Sequence, residues 1–180
     1  PELESVSLYS ENPDNRTATV HDRITLEFKT SEAIDVPSVH IHGESVNPSS
    51  QNGIDWSANY DVTNQSFEGQ VSFIITFEDF AGNAGVDGLF TMDQSSVEVD
   101  ITPPVILNDN ITSTNQDPNW GRYGDNVTLS FSTSEPIQDP SDNITIEGLT
   151  GIVVVGNDNK TEWTATGQVA SNATGMANYS

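Results

Sequence analysis

The chain has 180 residues, with five Lys plus Arg against 27 Asp plus Glu, which gives a formal net charge of −22 at pH 7. Such acidity excludes a phosphate-neutralising surface, so we expect neither a nucleic-acid partner nor attraction to an anionic membrane. There is no cysteine, so a packed core or a bound metal, rather than disulfides, must stabilise the fold. No apolar run is long enough to form a membrane-spanning helix.

The first hundred residues carry repeated strand signals and no helical periodicity. Apolar residues alternate with polar ones at residues 6–8, 24–28, 39–41, 56–60, 71–77 and 97–99. About seven short strands separated by polar turns are typical of an antiparallel β-sandwich. We therefore predict an all-β domain with Trp56 at the centre of its core.

The sequence starts again after Thr102-Pro103-Pro104, where two prolines end the last strand and hold the chain extended. Four segments recur: residues 22–34 match 125–137, 39–43 match 144–148, 55–58 match 162–165, and 69–73 match 175–179. The period of about a hundred residues is the size of one small domain. The prediction is two tandem β-sandwiches, residues 1–103 and 104–180, with Trp163 as the second core centre.

The second copy stops before its closing strand, because residues 178–180 match only residues 72–74 of the first. We expect open sheet edges and an uncovered apolar face in this copy. The residues of that face are Val127, Leu129, Phe131 and Trp163. Either the chain continues for roughly 25–30 residues to complete one domain length, which we favour, or another subunit supplies the strand by β-augmentation.

One pattern carries a resemblance to a known family. The motif Phe77-x-Asp79-x-Ala81-Gly82-Asn83-x-Gly85, followed by Val97-x-Val99-Asp100-x-Thr102-Pro103, resembles the tandem immunoglobulin-like repeats of large microbial cell-surface proteins. These include adhesin stalks, surface-layer proteins and filaments, and residues 127–136 of the second copy are equally typical. The resemblance implies immunoglobulin-like β-sandwiches at an extracellular cell surface, used mostly as spacers. It also implies neighbouring repeats, or other copies in a surface assembly, as partners, and Ca²⁺ near domain junctions in many members.

Oxygen ligands suitable for Ca²⁺ occur in one glycine-rich loop, at the junction and in two matching loops. The candidates are Asp79, Asn83 and Asp87 in the loop, Asp100 at the junction, and Glu32 and Glu135 at the matching positions. The alternative is a tight loop in which Asp79 and Asn83 bond local backbone N–H groups. The spacing is not that of an EF-hand, so both interpretations stay open.

Asn-x-Ser/Thr sequons are about twice as frequent as the roughly four expected by chance in so polar a chain. They begin at Asn15, Asn64, Asn110, Asn126, Asn143, Asn159, Asn172 and Asn178. This excess favours N-glycosylation of a surface protein, although an Asn- and Thr-rich sequence also generates sequons by accident.

No catalytic motif is present, since His21-Asp22 lacks a nucleophile elbow and an oxyanion loop. His40 and His42 share a strand face and could bind Zn²⁺, but an ordinary outward face explains them better. We therefore predict a non-enzymatic extracellular spacer of a stalk, surface layer or filament, stiffened by calcium. The alternative is an adhesin module that binds a glycan or protein ligand through exposed aromatic residues, for which Trp120 and Tyr123 are the candidates.

Overall fold

The structure is a computed structural model that describes residues 1–180. The chain divides into two compact units, Pro1–Thr102 and Pro103–Ser180. Both consist of β-strands and turns, which confirms the all-β fold class. No helix of the chain could span a membrane.

The first unit contains ten strands in three sheets. They are β1 (Leu3–Ser10), β2 (Thr17–Ala18), β3 (Arg23–Thr30), β4 (Ser38–Ile41), β5 (Glu44–Val46), β6 (Ser49–Ser50), β7 (Asp55–Asp61), β8 (Gly69–Gln70), β9 (Phe73–Thr76) and β10 (Glu98–Val99). The sheet orders are β1-β3-β7-β6, β5-β4-β9 and β2-β10-β8. Every pair is antiparallel except β2 with β10, which run parallel.

The core of the first unit lies between the inward faces of these sheets. In β3, Ile24, Leu26 and Phe28 are buried, while the alternate residues Glu27 and Lys29 are exposed, as period-two alternation predicts. Thr25 departs from the alternation, because it is also buried. Buried residues from the other sheets complete the core, and they are Ile34, Val39, Ile41, Phe73, Ile75, Phe77, Val97 and Val99. A single apolar cluster therefore joins all three sheets.

Trp56 is a core residue, as predicted. Only 8% of its surface is exposed, and its ring stacks on Phe28 with the two centroids 6.4 Å apart. The indole Nε1 donates to the carbonyl oxygen of Gly53 at 3.1 Å, so its burial leaves no polar atom unpaired.

The longest predicted strand, residues 71–77, is interrupted in the structure. Its side chains alternate between buried and exposed as predicted, but the segment changes partner at Val71-Ser72. Val71 N donates to Val97 O at 2.9 Å, whereas Ser72 O already accepts from His42 N at 2.7 Å. The segment from Gly69 to Thr76 thus pairs first with β10, as β8, and then with β4, as β9, so the predicted strand begins at the change of partner.

The second unit contains one four-stranded antiparallel sheet. Its strands are β11 (Ile106–Ser113), β12 (Asn126–Thr133), β13 (Leu149–Gly156) and β14 (Glu162–Val169), in the order β11-β12-β14-β13. The strand pairs match those of the first unit: Leu3 faces Thr30 as Ile106 faces Thr133, each beside a register shift. Phe28 faces Trp56 as Phe131 faces Trp163. β13 is a strand that was not predicted from the sequence, although its run of Ile152 and three valines is a strong strand signal.

The prediction of an uncovered apolar face in the second unit is wrong for most of the residues of that face. Val127, Leu129 and Trp163 are buried and Phe131 is half-buried. β13 provides cover, because a Cβ built on Gly156 would lie 2.7 Å from the Trp163 ring, so the ring packs directly on that glycine. Leu129 also belongs to a buried cluster with Ile146 and Ala165, against which the partly buried side chains of Ile144, Leu149, Ile152 and Val154 pack.

Replacement of Trp56 by alanine tests this account of the core. We expect Trp56→Ala to lower the free energy of unfolding by about 3–5 kcal/mol, because it empties a large buried aromatic site. The matched control is Trp120→Ala, since 72% of Trp120 is exposed, and a surface change costs within about 0.5 kcal/mol. Urea unfolding of the full chain followed by circular dichroism measures both. Equal losses for the two variants would contradict the core position of Trp56.

Candidate functional site

The predicted Ca²⁺ ligands Asp79 and Asn83 lie together, but they bond to each other and to the loop backbone. Asp79 Oδ1 accepts from the backbone N–H groups of Ala81 at 2.8 Å and Asn83 at 2.9 Å. Asp79 Oδ2 accepts from Asn83 Nδ2 at 2.8 Å. The Asn83 side chain is the main reason why the pKa of Asp79 lies below its usual value. Both carboxylate oxygens therefore already close the loop.

The other predicted Ca²⁺ ligands are not brought together with Asp79. Asp87 is exposed further along the same loop, and Asp100 Oδ1 accepts from Thr102 N at 3.3 Å. The Glu32 carboxylate lies 3.1 Å from Pro1 N, and the Glu135 carbonyl accepts from the Thr133 hydroxyl. No three Asp, Glu or His side chains converge in an arrangement that could hold a metal ion.

A carboxylate that was not predicted as a site residue fixes the last residues of the first unit. Glu68 Oε1 accepts from Thr102 Oγ1 at 2.5 Å and from Ile101 N at 3.2 Å. The Thr102 hydroxyl is the main reason why the pKa of Glu68 lies below its usual value. Since Asp100 also caps Thr102 N, two carboxylates fix the segment just before Pro103. No local sequence signal places Glu68 beside residues more than thirty positions away.

Both units contain the same Asn–Asp hydrogen bond, which the sequence analysis also missed. Asn12 Nδ2 donates to Asp22 Oδ2 at 2.7 Å, and Asn115 Nδ2 donates to Asp125 Oδ2 at 2.7 Å. We call this bond the loop clasp, because it joins the two ends of the loop between the first two long strands of each unit. The pKa of Asp125 lies below its usual value, chiefly because the backbone N–H of Arg122 donates to it.

Exposed aromatic side chains occur in both units. Trp120 and Tyr123 are largely exposed in the second unit, as the adhesin alternative requires. In the first unit Phe67 is exposed, and its ring centroid lies 6.4 Å from that of His42. The ring centroid of Tyr60 lies 5.8 Å from that of His42. This second cluster has no signal in the sequence, because Phe67 lies alone in a polar segment.

The two histidines considered as a zinc pair have different surroundings. His42 Nε2 lies 2.6 Å from the carbonyl oxygen of Phe67, so this nitrogen carries a proton and donates it. His42 follows β4 in the left-handed backbone region, with φ of 54°, while His40 lies within β4 and is exposed. His42 therefore serves to hold the Phe67 segment.

A shallow groove crosses the outer face of the four-stranded sheet in each unit. The groove of the first unit has a volume of about 620 Å³ and is lined by serines together with Glu27, Lys29 and Asp55. The groove of the second unit has a volume of about 490 Å³ and includes Glu162 and Val155. The first groove includes Phe28 and Trp56, and the second includes the matching pair Phe131 and Trp163. The same sheet geometry therefore creates both grooves.

Several apolar side chains are exposed along the loop that follows β9. The four that are largely exposed are Phe80, Val86, Phe90 and Met92. The same stretch of sequence, residues 78–93, contains Glu78, Asp79, Asp87 and Asp93 and no basic residue.

All eight sequon asparagines are exposed, so burial blocks none of them from modification. Comparisons of the chain with protein-family models, with curated proteins and with solved structures find no match.

Proposed function

We propose that the chain is a non-enzymatic spacer built of tandem immunoglobulin-like repeats in an extracellular, cell-surface stalk, surface layer or filament. The order of the first sheet, β1-β3-β7-β6, supports this, because it agrees with the A-B-E-D order of one sheet of an immunoglobulin domain. The second unit supports repetition, since it has the same register in its main sheet and the same loop clasp.

The observation that carries the proposal is the parallel pair of β2 and β10. β2 lies near the start of the first unit and β10 near its end, and Glu98 N and Asp100 N donate to the carbonyl oxygens of Arg16 and Ala18 at 2.8 and 2.9 Å. When the ends of the unit are pulled apart, two parallel strands slide along each other. Both hydrogen bonds are then loaded together instead of one after the other. A protein that keeps its length under tension benefits from this geometry.

Single-molecule force spectroscopy on the full chain tests the load-bearing role. We expect the first unit, Pro1–Thr102, to unfold in one step that lengthens the chain by roughly 35 nm, the extended length of its residues. Glu98→Pro removes one of the two donors between β10 and β2 and is expected to lower the force of that step. The control is Ser49→Pro in the edge strand β6, which lies outside this pair.

Two results would count against this role. Equal unfolding forces for Glu98→Pro and the unchanged chain would show that the parallel pair does not bear the load. A force lowered equally by Ser49→Pro would show that the step reports general stability, which a spacer shares with any folded protein.

The alternative is an adhesin module that binds a glycan, and the exposed aromatic residues favour it. Trp120 and Tyr123 offer flat apolar faces in the second unit, and Phe67 offers one in the first. A glycan array probed with the full chain distinguishes the two functions. A spacer gives no saturable binding. Saturable binding that Trp120→Ala abolishes and Trp56→Phe leaves intact would favour the adhesin.

Calcium stiffening is part of the spacer proposal and rests on the charge of −22, because a bound divalent cation reduces the repulsion between carboxylates. Asp100 and Asp87 are the accessible candidates, since the Asp79 oxygens are occupied. We expect Ca²⁺ to raise the melting temperature with half-effect at roughly 10⁻⁴–10⁻³ M, and EDTA to reverse the increase. Asp100→Asn should weaken the effect. Equal melting temperatures in Ca²⁺, in Mg²⁺ and in NaCl of matched ionic strength would show that charge screening, and not a bound Ca²⁺ ion, stabilises the chain.

Two further predictions concern exposed residues of the chain. The exposed apolar loop, residues 80–92, is the candidate contact with other copies in a surface assembly. N-glycosylation at the eight sequons stays a prediction, supported by the exposure of every acceptor asparagine.

A further inference from the structure

Strand β13 forms one edge of the four-stranded sheet in the second unit. It pairs with β14 on one side and with no strand on the other. Its eight residues, Leu149–Gly156, include no charged side chain, although 27 residues of the chain are Asp or Glu. Val153 and Val155 point away from the core and are 62% and 60% exposed. An exposed apolar sheet edge of this kind is a template on which another strand pairs.

Every second residue of β13 turns its backbone polar groups away from the sheet. Asn157 N donates to Glu162 O at 2.9 Å, directly after the last residue pair of β13 and β14. Bonded and non-bonded residue pairs alternate along an antiparallel ladder, so every second residue counted back from Asn157 bonds to β14. The residues between these turn an N–H and a C=O group outward, and they are Ile152, Val154 and Gly156.

The matching edge of the first unit is protected against such pairing. Ser49 of β6 has the place of Val155 in β13, because each faces the residue that follows the core tryptophan. Pro48 therefore has the place of Val154. Strand β6 has only two residues, and the proline before it has no N–H group to donate. Short strands and prolines are common means by which proteins keep edge strands from pairing, and β13 has neither.

This edge of the sheet is a feature of the repeat. In the first unit β6 pairs with β7 alone, so no later strand of that unit covers the same edge. The two units thus share an open edge and differ in whether that edge is protected.

The residues of β13 are complementary to a second copy of themselves in antiparallel orientation. When Val154 of one copy lies opposite Val154 of the other, Val153 of each copy faces Val155 of the other. The central pair is of the hydrogen-bonded kind, and the two flanking pairs are of the non-bonded kind, in which side chains approach more closely. On the other face of the sheet, Ile152 lies beside Gly156 of the second copy, which has no side chain to obstruct it.

We propose that β13 is a homodimer interface, at which two copies of the chain pair through this edge about a two-fold axis. Their two four-stranded sheets then join into one sheet of eight strands. The occupant is a second copy, because self-pairing places each exposed valine against another and brings no charged side chain into the contact. A two-fold contact is closed, so pairing at this edge stops at the dimer. The dimer forms whether or not the chain is a spacer, since the sheet edge alone determines it.

Sedimentation equilibrium of the full chain, from about 1 μM to about 1 mM, measures this association. We expect a dimer that strengthens as NaCl rises from about 0.05 M to about 0.5 M, because salt screens the repulsion between two copies of net charge −22.

Two variants at one position separate edge pairing from other contacts. Val154→Pro removes an outward N–H group from each copy and copies the protected edge of the first unit, so it should abolish the dimer. Val154→Ala truncates the same side chain and keeps the N–H group, so it should still dimerise. The melting temperature of each variant shows that it remains folded.

Cross-linking tests the register, since the chain contains no cysteine. A mixture of Val153→Cys and Val155→Cys should form an interchain disulfide faster than either variant alone, because the two positions face each other only between different copies. Val155→Lys should weaken the dimer at least about fivefold, because it removes two valine pairs. The added lysine lowers the net negative charge, so a contact governed by overall charge would strengthen instead.

Four outcomes would overturn the proposal. One is a monomer over the whole concentration range in about 0.5 M NaCl. Another is a dimer that Val154→Pro leaves intact, since its contact would then lie elsewhere. The third is a disulfide that forms equally fast in the mixture and in either cysteine variant alone. The last is growth beyond the dimer that Val154→Pro stops, because the edge would then pair in an open arrangement without a two-fold axis.

Discussion

The pairing of β10 with both of its neighbours is the interaction on which the first unit depends. Two residues, Glu98 and Val99, form a strand too short to be stable alone, yet it joins β2 to β8 and closes one edge of the core. The burial of Val97 and Val99 supplies the apolar contacts that the short strand needs. Thr102-Pro103-Pro104 then prevents the strand from extending, since proline donates no backbone hydrogen bond.

The second unit repeats two features of the first unit that do not involve β10. Its main sheet keeps the same register as that of the first unit, with Phe131 facing Trp163. Its loop keeps the same clasp, because the bond between Asn115 and Asp125 is formed within the loop and needs no strand beside it. Sheet register and loop conformation are therefore common to both units, and each rests on contacts within its own part of the chain.

Sequence patterns predicted the fold elements that depend on neighbours in sequence. Alternation at residues 24–28 located β3 and its buried face, and turn-forming residues explained why the Asp79 carboxylate bonds the local backbone. The division of residues 71–77 could not be predicted, because the side chains alternate throughout while only the pairing partner changes. Glu68 was missed for a related reason. Its partners Ile101 and Thr102 are distant in sequence, and an exposed glutamate carries no sign of them.

The position of β10 at the end of its unit has a consequence for synthesis. The carbonyls of Arg16 and Ala18 leave the ribosome long before the amides of Glu98 and Asp100 that will bond to them. During that interval a nascent first unit exposes an unpaired edge, and unpaired edges in partly folded chains promote aggregation. The excess of negative charge gives neighbouring nascent chains a mutual repulsion during the same interval. The acidity that marks the sequence thus protects the chain at the stage when its fold is least complete.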